Sequence, residues 1–460
     1  MIMKKVLIPQ CILEDLQKEI RSTNLQIDVA VFFVSLLISI PAEYRIDIKK
    51  AIEDNVPLDS QILKSYRHNY DDYIDFLVNN NIIEKVRNHG ADINQCSVYK
   101  ISGLYSITDL VEYQITDVCL SKKFDQNGLD KFDLKKMRLS GQLRPHLVKN
   151  FDEDLKINFE SANKLIEEMK FESEKQIAYY KMCMHQFNNQ SWKYSIKPDT
   201  DNRLHSSITR VPKALREFIF YENKHLVAVD IKTSQPYFLS VLIKAILKKD
   251  KELLRKIGAT KILSDEVIEG LFDLKLDRDD LINFVESVIN PEGDFYLYLG
   301  EIIEIKQDKE GNYFRIRSAF SNKKKRKGLY KEQTKEIFLS KREAIKDLVM
   351  ELLYASPKYN TKEASQFRKA FPSVHKIIQF LHRKNVPLHH LLQNIEAITL
   401  LDKVAKTISE KHPYMPLFSV HDSLVTTSSF SRLLKKEMEE EINKITTLKV
   451  KTEYEYWNKS

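Results

Sequence analysis

Glycine is scarce, at ten of 460 residues. Together with long charged and apolar periodicities, that scarcity argues for a mainly helical α+β protein with a limited amount of sheet. Cysteine is equally thin. Cys11, Cys96, Cys119 and Cys183 lie far apart, with neither the paired spacing of a zinc site nor the density of a disulfide framework. A cysteine-built structural metal is not expected, and a reducing, cytoplasmic setting is. The longest apolar run, VAVFFVSLLISI from Val29 to Ile40, falls short of the ~20 residues that a membrane-spanning helix needs. It also lies too far from the start for a secretory signal, so it reads as a buried helix and no membrane partner is expected. Nor does one sign of charge dominate: 73 Lys+Arg against 65 Asp+Glu leave a formal +8. That balance permits a polyanionic partner without demanding one. The length leaves room for about two to four domains.

What is there begins with an N-terminal stretch from Ile27 to about Ser102. Three helical patterns run into a turn-rich segment and an alternating strand, NHGADINQCSVYKIS. Tyr70, Tyr73, Ile74, Leu77 and Val78 share one face of a helix within it. Helix, turn and wing in that order resemble a winged-helix domain, which often lays a helix in a DNA groove. A small helical packing domain is the other reading. From about Asp117 to Asn189, FESANKLIEEMKFESEKQIAYYKMCMHQF and its neighbours have few turn signals and suggest a long paired-helix arm.

Two aspartates then stand out. HLVAVDIKTSQPYFLSVLI brings Asp230 to the end of a buried strand, and a second apolar segment follows at once. In LFSVHDSLVTT, apolar residues on both sides of a polar centre describe a β-hairpin with His421 and Asp422 at its tip. On neighbouring strands, two carboxylates repel unless a cation sits between them or one takes a proton. Hard divalent ions are typically bound by one or two carboxylates plus substrate phosphates. Between the two lies KREAIKDLVMELLYASP, which reads as one helix with Arg342, Lys346, Met350 and Tyr354 at intervals of four along one broad face. Two cations, an apolar residue and a phenol suit a nucleoside triphosphate, with phosphates at the basic end and base and sugar toward the ring. Taken singly, each of these features also reads as a solvated or capping residue.

Their order resembles motifs A, B and C of the DNA polymerase I-like and single-subunit phage-type RNA polymerase superfamily. Asp230 matches the metal-binding Asp of motif A, and Arg342, Lys346 and Tyr354 match the R-x-x-x-K and later Tyr of the helix that binds the incoming nucleotide. His421-Asp422 matches the HD of motif C. NRLHSS, Asn202 to Ser207, looks like the family's TGRLSS loop, so Arg203 would contact the primer-template. LLQNIEA resembles the helix that supplies a minor-groove glutamine, here Gln393.

The resemblance covers roughly residues 195–460. It implies a right-hand polymerase with an antiparallel palm sheet and helical fingers and thumb, behind the winged-helix-like unit. Residues 1–115 would be that unit, 116–195 a helical linker or thumb-like arm, 196–250 the first part of the palm, 251–408 the fingers and 409–460 the rest of the palm. The implied activity is nucleotidyl transfer to a 3′-hydroxyl, with two magnesium ions, or manganese, held by Asp230, the Ile231 carbonyl and Asp422. Arg342 and Lys346 would grip phosphates, Lys346 would serve as proton donor to the departing pyrophosphate, and Met350 and Tyr354 would line the nucleotide. The partners are nucleoside triphosphates and a nucleic-acid template, DNA in the first instance, with its primer or nascent strand. His421 would face that nucleic acid. So would the basic run FRIRSAFSNKKKRKGLYK, where Arg315, Arg317, Lys323, Lys324, Lys325, Arg326 and Lys327 cluster among aromatics.

Three departures matter. Ser234-Gln235 follows Asp230 at a longer interval than in the DNA polymerases, and the family's sugar-excluding Glu has no counterpart, so DNA and RNA products both stay open. Ala355 also replaces the usual Gly after the tyrosine. A priming or replicative enzyme of a mobile element is the favoured setting. Two alternatives are a template-independent nucleotidyltransferase and a non-catalytic winged-helix initiator on DNA.

Overall fold

A computed structural model describes residues 4–43, 55–87, 96–124, 131–198, 200–290, 293–320, 331–354 and 361–458. The protein is α+β and mainly helical, and every pairing among its described strands is antiparallel.

The N-terminal unit opens on strand β1 (Lys4–Pro9). The apolar run at 29–40 falls inside the helix Ile27–Glu43, whose Val29 to Val34 are buried, as its composition requires. Strand β2 (Val56–Leu58), helices Ser60–Tyr66 and Tyr70–Asn79, and strands β3 (Ile83–Arg87) and β4 (Ser97–Ile101) follow. The sheet order is β2-β4-β3. Asp59 caps the first of these helices by accepting from the amides of Gln61 and Ile62. Strand β5 (Leu110–Ile115) returns to pair with β1, and the unit's core runs on to Phe124, past the boundary expected at 115.

The segment expected as an arm is tied into the body instead. It contributes strand β6 (Leu155–Ile157) to the main sheet, and its helices Phe159–Glu168 and Glu174–Asn188 pack on one face of that sheet. A short ribbon, β7 (Tyr194–Ile196) with β8 (Leu204–Ser206), leads into β9 (Ile219–Tyr221) and β10 (Lys224–Ile231).

Helices dominate 234–411, as expected, and the stretch also holds a small sheet of β11 (Lys306–Gln307), β12 (Tyr313–Phe320) and β13 (Lys331–Phe338). Of the basic track, Arg315 and Arg317 lie on β12, and Lys323, Lys324, Lys325, Arg326 and Lys327 lie outside the described residues. Arg315 faces inward. It is 3% exposed, pairing with Asp347 and, at 2.5 Å, with Glu351, both on the helix Lys341–Tyr354. Its charge therefore fastens the hairpin to that helix and is not offered to a phosphate. Replacing Arg315 with Ala is expected to cost about 2 kcal/mol, because the two half-exposed carboxylates rehydrate once the buried cation is gone; thermal unfolding measures it.

Strands β14 (Phe418–Val420), β15 (Ser423–Thr427) and, after the helix Ser431–Thr446, β16 (Thr452–Tyr456) complete the main sheet. Its order is β14-β15-β10-β9-β6, with β16 on the other edge of β10. Strand β10 is thus central. Val229 and Ile231 join the large core under the helices, while Leu226 and Ala228 join the core under the arm segment, so both faces are apolar until Asp230. No helix among the described residues is long and apolar enough to cross a membrane.

Candidate active site at paired carboxylates

The register of β10 and β15 sets Asp230 opposite Ser423, and Ser423 directly follows the two-residue loop His421-Asp422. Adjacent strands lie about 4.8 Å apart, so the two carboxylates leave the same end of the sheet side by side. On the other edge of β10, Asp230 faces Glu453 of β16. Both loops at this end carry backbone that L side chains rarely adopt. His421 sits at φ +55° and Thr233, just past Asp230, at φ +53°. Neither position is glycine, and a β-branched residue there is a clear outlier that surrounding structure must hold in place.

The electrostatics of the pair follow from this placement. Burial pushes the Asp230 carboxyl up to about 6, and the Glu453 and Glu455 charges add to the shift while Lys346 opposes it. Burial also pushes Asp422 up to about 6, aided by the Asp230 charge and opposed by Arg203 and Lys346. Among the described residues, neither aspartate forms an ion pair. Two hard oxygen donors, crowded together and without an ion-pair partner among the described residues, fit a divalent cation. No group of three or more His, Cys, Asp or Glu side chains that could hold a metal occurs among the described residues. Any ion here would rest on the two aspartates, with waters, substrate or main-chain oxygens completing the shell. Ile231 ends β10 with its side chain in the core.

The helix Lys341–Tyr354 aims its face at this end of the sheet. Lys346 is exposed and acts electrostatically on both aspartates. Arg342, expected to grip phosphate, has its Nε and Nη2 edge engaged by Asp294 at 2.9 and 2.8 Å, with the guanidinium 5.4 Å from the Tyr296 ring centre. Met350 is half-buried one turn beyond Lys346. Tyr354 ends the helix with its ring 5.3 Å from His389 and with Gln393 beside its hydroxyl. Gln393 is thereby brought to the site, half-buried, from the helix Leu388–Ala397.

Arg203 departs most from expectation. Its Nε donates to Glu396 Oε1 at 2.8 Å, and Nη2 donates to the same oxygen. Glu396 Oε2 accepts from Ser234 at 2.6 Å and from Gln235 at 2.7 Å. This carboxylate is 1% exposed and ties three segments together: the RLHSS loop, the start of the helix Ser234–Lys248, and the Leu388–Ala397 helix. Burial pushes its carboxyl up and the Arg203 guanidinium pulls it back. Arg203 also acts on Asp422 and Tyr354. It is a half-buried member of the site whose charge is engaged by Glu396.

Sequence reasoning missed Glu396, Asp294, Glu453 and His389. A signal existed for the first: a glutamate inside NIEAITLL must be paired if that run is buried, because glutamate is almost never fully buried alone.

No protein-family model matches this chain, and no curated protein matches it.

Proposed function

We propose that this protein is a nucleotidyltransferase of the template-directed polymerase type, with Asp230 and Asp422 at its centre. The observation that carries the proposal is the meeting of these two unpaired carboxylates, from positions far apart in the chain, opposite Lys346. When bound, divalent cations would supply Lewis-acid stabilisation of a transferring phosphoryl group. The chain's own residues do the rest. Asp230 and Asp422 would hold the ions. Lys346, the exposed cation over the pair, would meet the triphosphate and stabilise charge on its leaving end. Arg342, steadied by Asp294, and the half-buried Met350 would border the same path. The Tyr354 ring, set by His389 and Gln393, would form the wall for sugar or base. The Arg203–Glu396 pair would hold the loops in register below. A non-catalytic scaffold would predict ordinary surroundings for the two aspartates, and theirs are not ordinary.

The N-terminal element order, with a three-stranded sheet ordered first-third-second, supports the winged-helix reading of that unit. The palm, fingers and thumb division stands on the same footing, with the 116–195 segment woven into the sheet.

The test is incorporation of labelled ribo- or deoxyribonucleotides by the purified chain with magnesium, on primed and unprimed DNA and RNA. Extension that requires a template is the expected result. Extension that persists without any template supports the template-independent alternative, and no incorporation under any combination removes the proposal.

A further inference from the structure

A cavity of about 510 Å³ opens on the N-terminal unit, away from the paired carboxylates. It lies between the turn joining the helices Ser60–Tyr66 and Tyr70–Asn79 and the short helix Val118–Ser121. Arg67, His68, Lys122, Lys123 and Lys131 line it, and among the described residues no carboxylate does. Arg67 reaches only Asp117, at 4.0 Å, and among the described residues none of the three lysines has an ion-pair partner. Tyr66 adds a ring to the wall, stacked on Phe124 at 5.9 Å between centres. A concave site with this much uncompensated positive charge recognises phosphate oxygens: guanidinium by paired bonds, ammonium as point charges. Its volume is in the range of small-molecule sites and exceeds what one phosphate fills.

The neighbouring helix sharpens the argument. Tyr70–Asn79 occupies the place of the groove-reading helix in the winged-helix reading, yet its exposed residues include Asp71, Asp72 and Asp75. Laid in a DNA groove, it would set three carboxylates against phosphates.

We propose that the cavity is a binding site for a phosphate-bearing ligand, either the backbone phosphates of a nucleic acid or the polyphosphate of a free nucleotide. It is independent of the polymerase reading.

Cys119 is exposed at the same cavity and provides a local probe. In a Cys11→Ser/Cys96→Ser chain, where Cys183 is buried, the rate of Cys119 labelling by a neutral maleimide would be followed. The additions are inorganic pyrophosphate, ATP, a DNA single strand or a DNA duplex, each against KCl and sulfate at equal ionic strength. Labelling is expected to slow by about tenfold at nine-tenths occupancy, and Lys122→Glu/Lys123→Glu should remove the protection. Protection by pyrophosphate or ATP identifies a free polyphosphate ligand, and protection by nucleic acid alone identifies backbone phosphates. No protection, protection matched by KCl or sulfate, or protection unchanged in the double variant overturns the proposal. The double variant should retain whatever nucleotide incorporation the wild type shows, which separates failure here from failure of the polymerase reading.

Discussion

Asp422→Asn should abolish nucleotide incorporation and, in metal-free buffer near pH 7, make the protein more stable. The loss follows from removing one of two oxygen donors for the ions; several kcal/mol of charge stabilisation correspond to more than about 10³-fold in rate. The gain in stability follows from the sign of the titration. The folded carboxyl is raised to about 6, above its unfolded value of roughly 3.9. Below both values the group is protonated in either state and carries no penalty. Between them the folded state holds more protons, so the penalty grows as pH rises and is complete above about 6. Asparagine escapes it. Two pKa units would be nearly 3 kcal/mol, but the side chain is only partly buried by exposed area, and about 1–2 kcal/mol is the expected gain. The wild type should accordingly gain more stability in mild acid than the variant, which keeps only the raised Asp230. Thermal unfolding from pH 5 to 8, beside the incorporation assay, checks both halves. A variant that is active, or one that is inactive and also less stable at pH 7, contradicts the account of this site.

Glu396→Ala should be among the most damaging single changes. It would leave the half-buried Arg203 guanidinium without its carboxylate and strip Ser234 and Gln235 of their acceptor. Breaking a buried pair from one side costs about 3–5 kcal/mol, which in a chain of this size is a fall of about 3–5 °C in melting temperature. Removing both charges is gentler, because no ion is then stranded: Arg203→Met/Glu396→Leu should recover most of the stability. Incorporation should stay impaired in the double variant, since Arg203 also acts on Asp422 and Tyr354. If Glu396→Ala unfolds at the wild-type temperature, the carboxylate is not the tie described.

Much of this site could be read from the chain. The hairpin around His421-Asp422 shows itself by apolar residues flanking a polar tip, and the Lys341–Tyr354 helix by spacing at intervals of four; both depend on local pattern. Partners drawn from distant segments have no such signature. Glu396 lies 193 positions from Arg203 and Asp294 lies 48 from Arg342, so each cation looked free in the sequence. Arg315 misled for the same reason. Among FRIRSAFSNKKKRKG it reads as one more surface charge, and only the packing of β12 on the Lys341–Tyr354 helix turns it inward. The helices of the expected arm were legible, but β6 is three residues long and joins the sheet through tertiary pairing alone. The strained backbone at Thr233 and His421 was hidden too, since glycine, the usual marker of positive φ, is absent from both.

The central claim is that Asp230 and Asp422 jointly hold a divalent cation, and manganese binding, followed by its electron spin resonance, tests it most directly. The account predicts that the wild type binds manganese in competition with magnesium. Affinity should fall as pH drops through about 6, because protons and metal compete for the same oxygens, and either Asp230→Asn or Asp422→Asn should weaken it by more than about tenfold. Unchanged binding in both variants would contradict it.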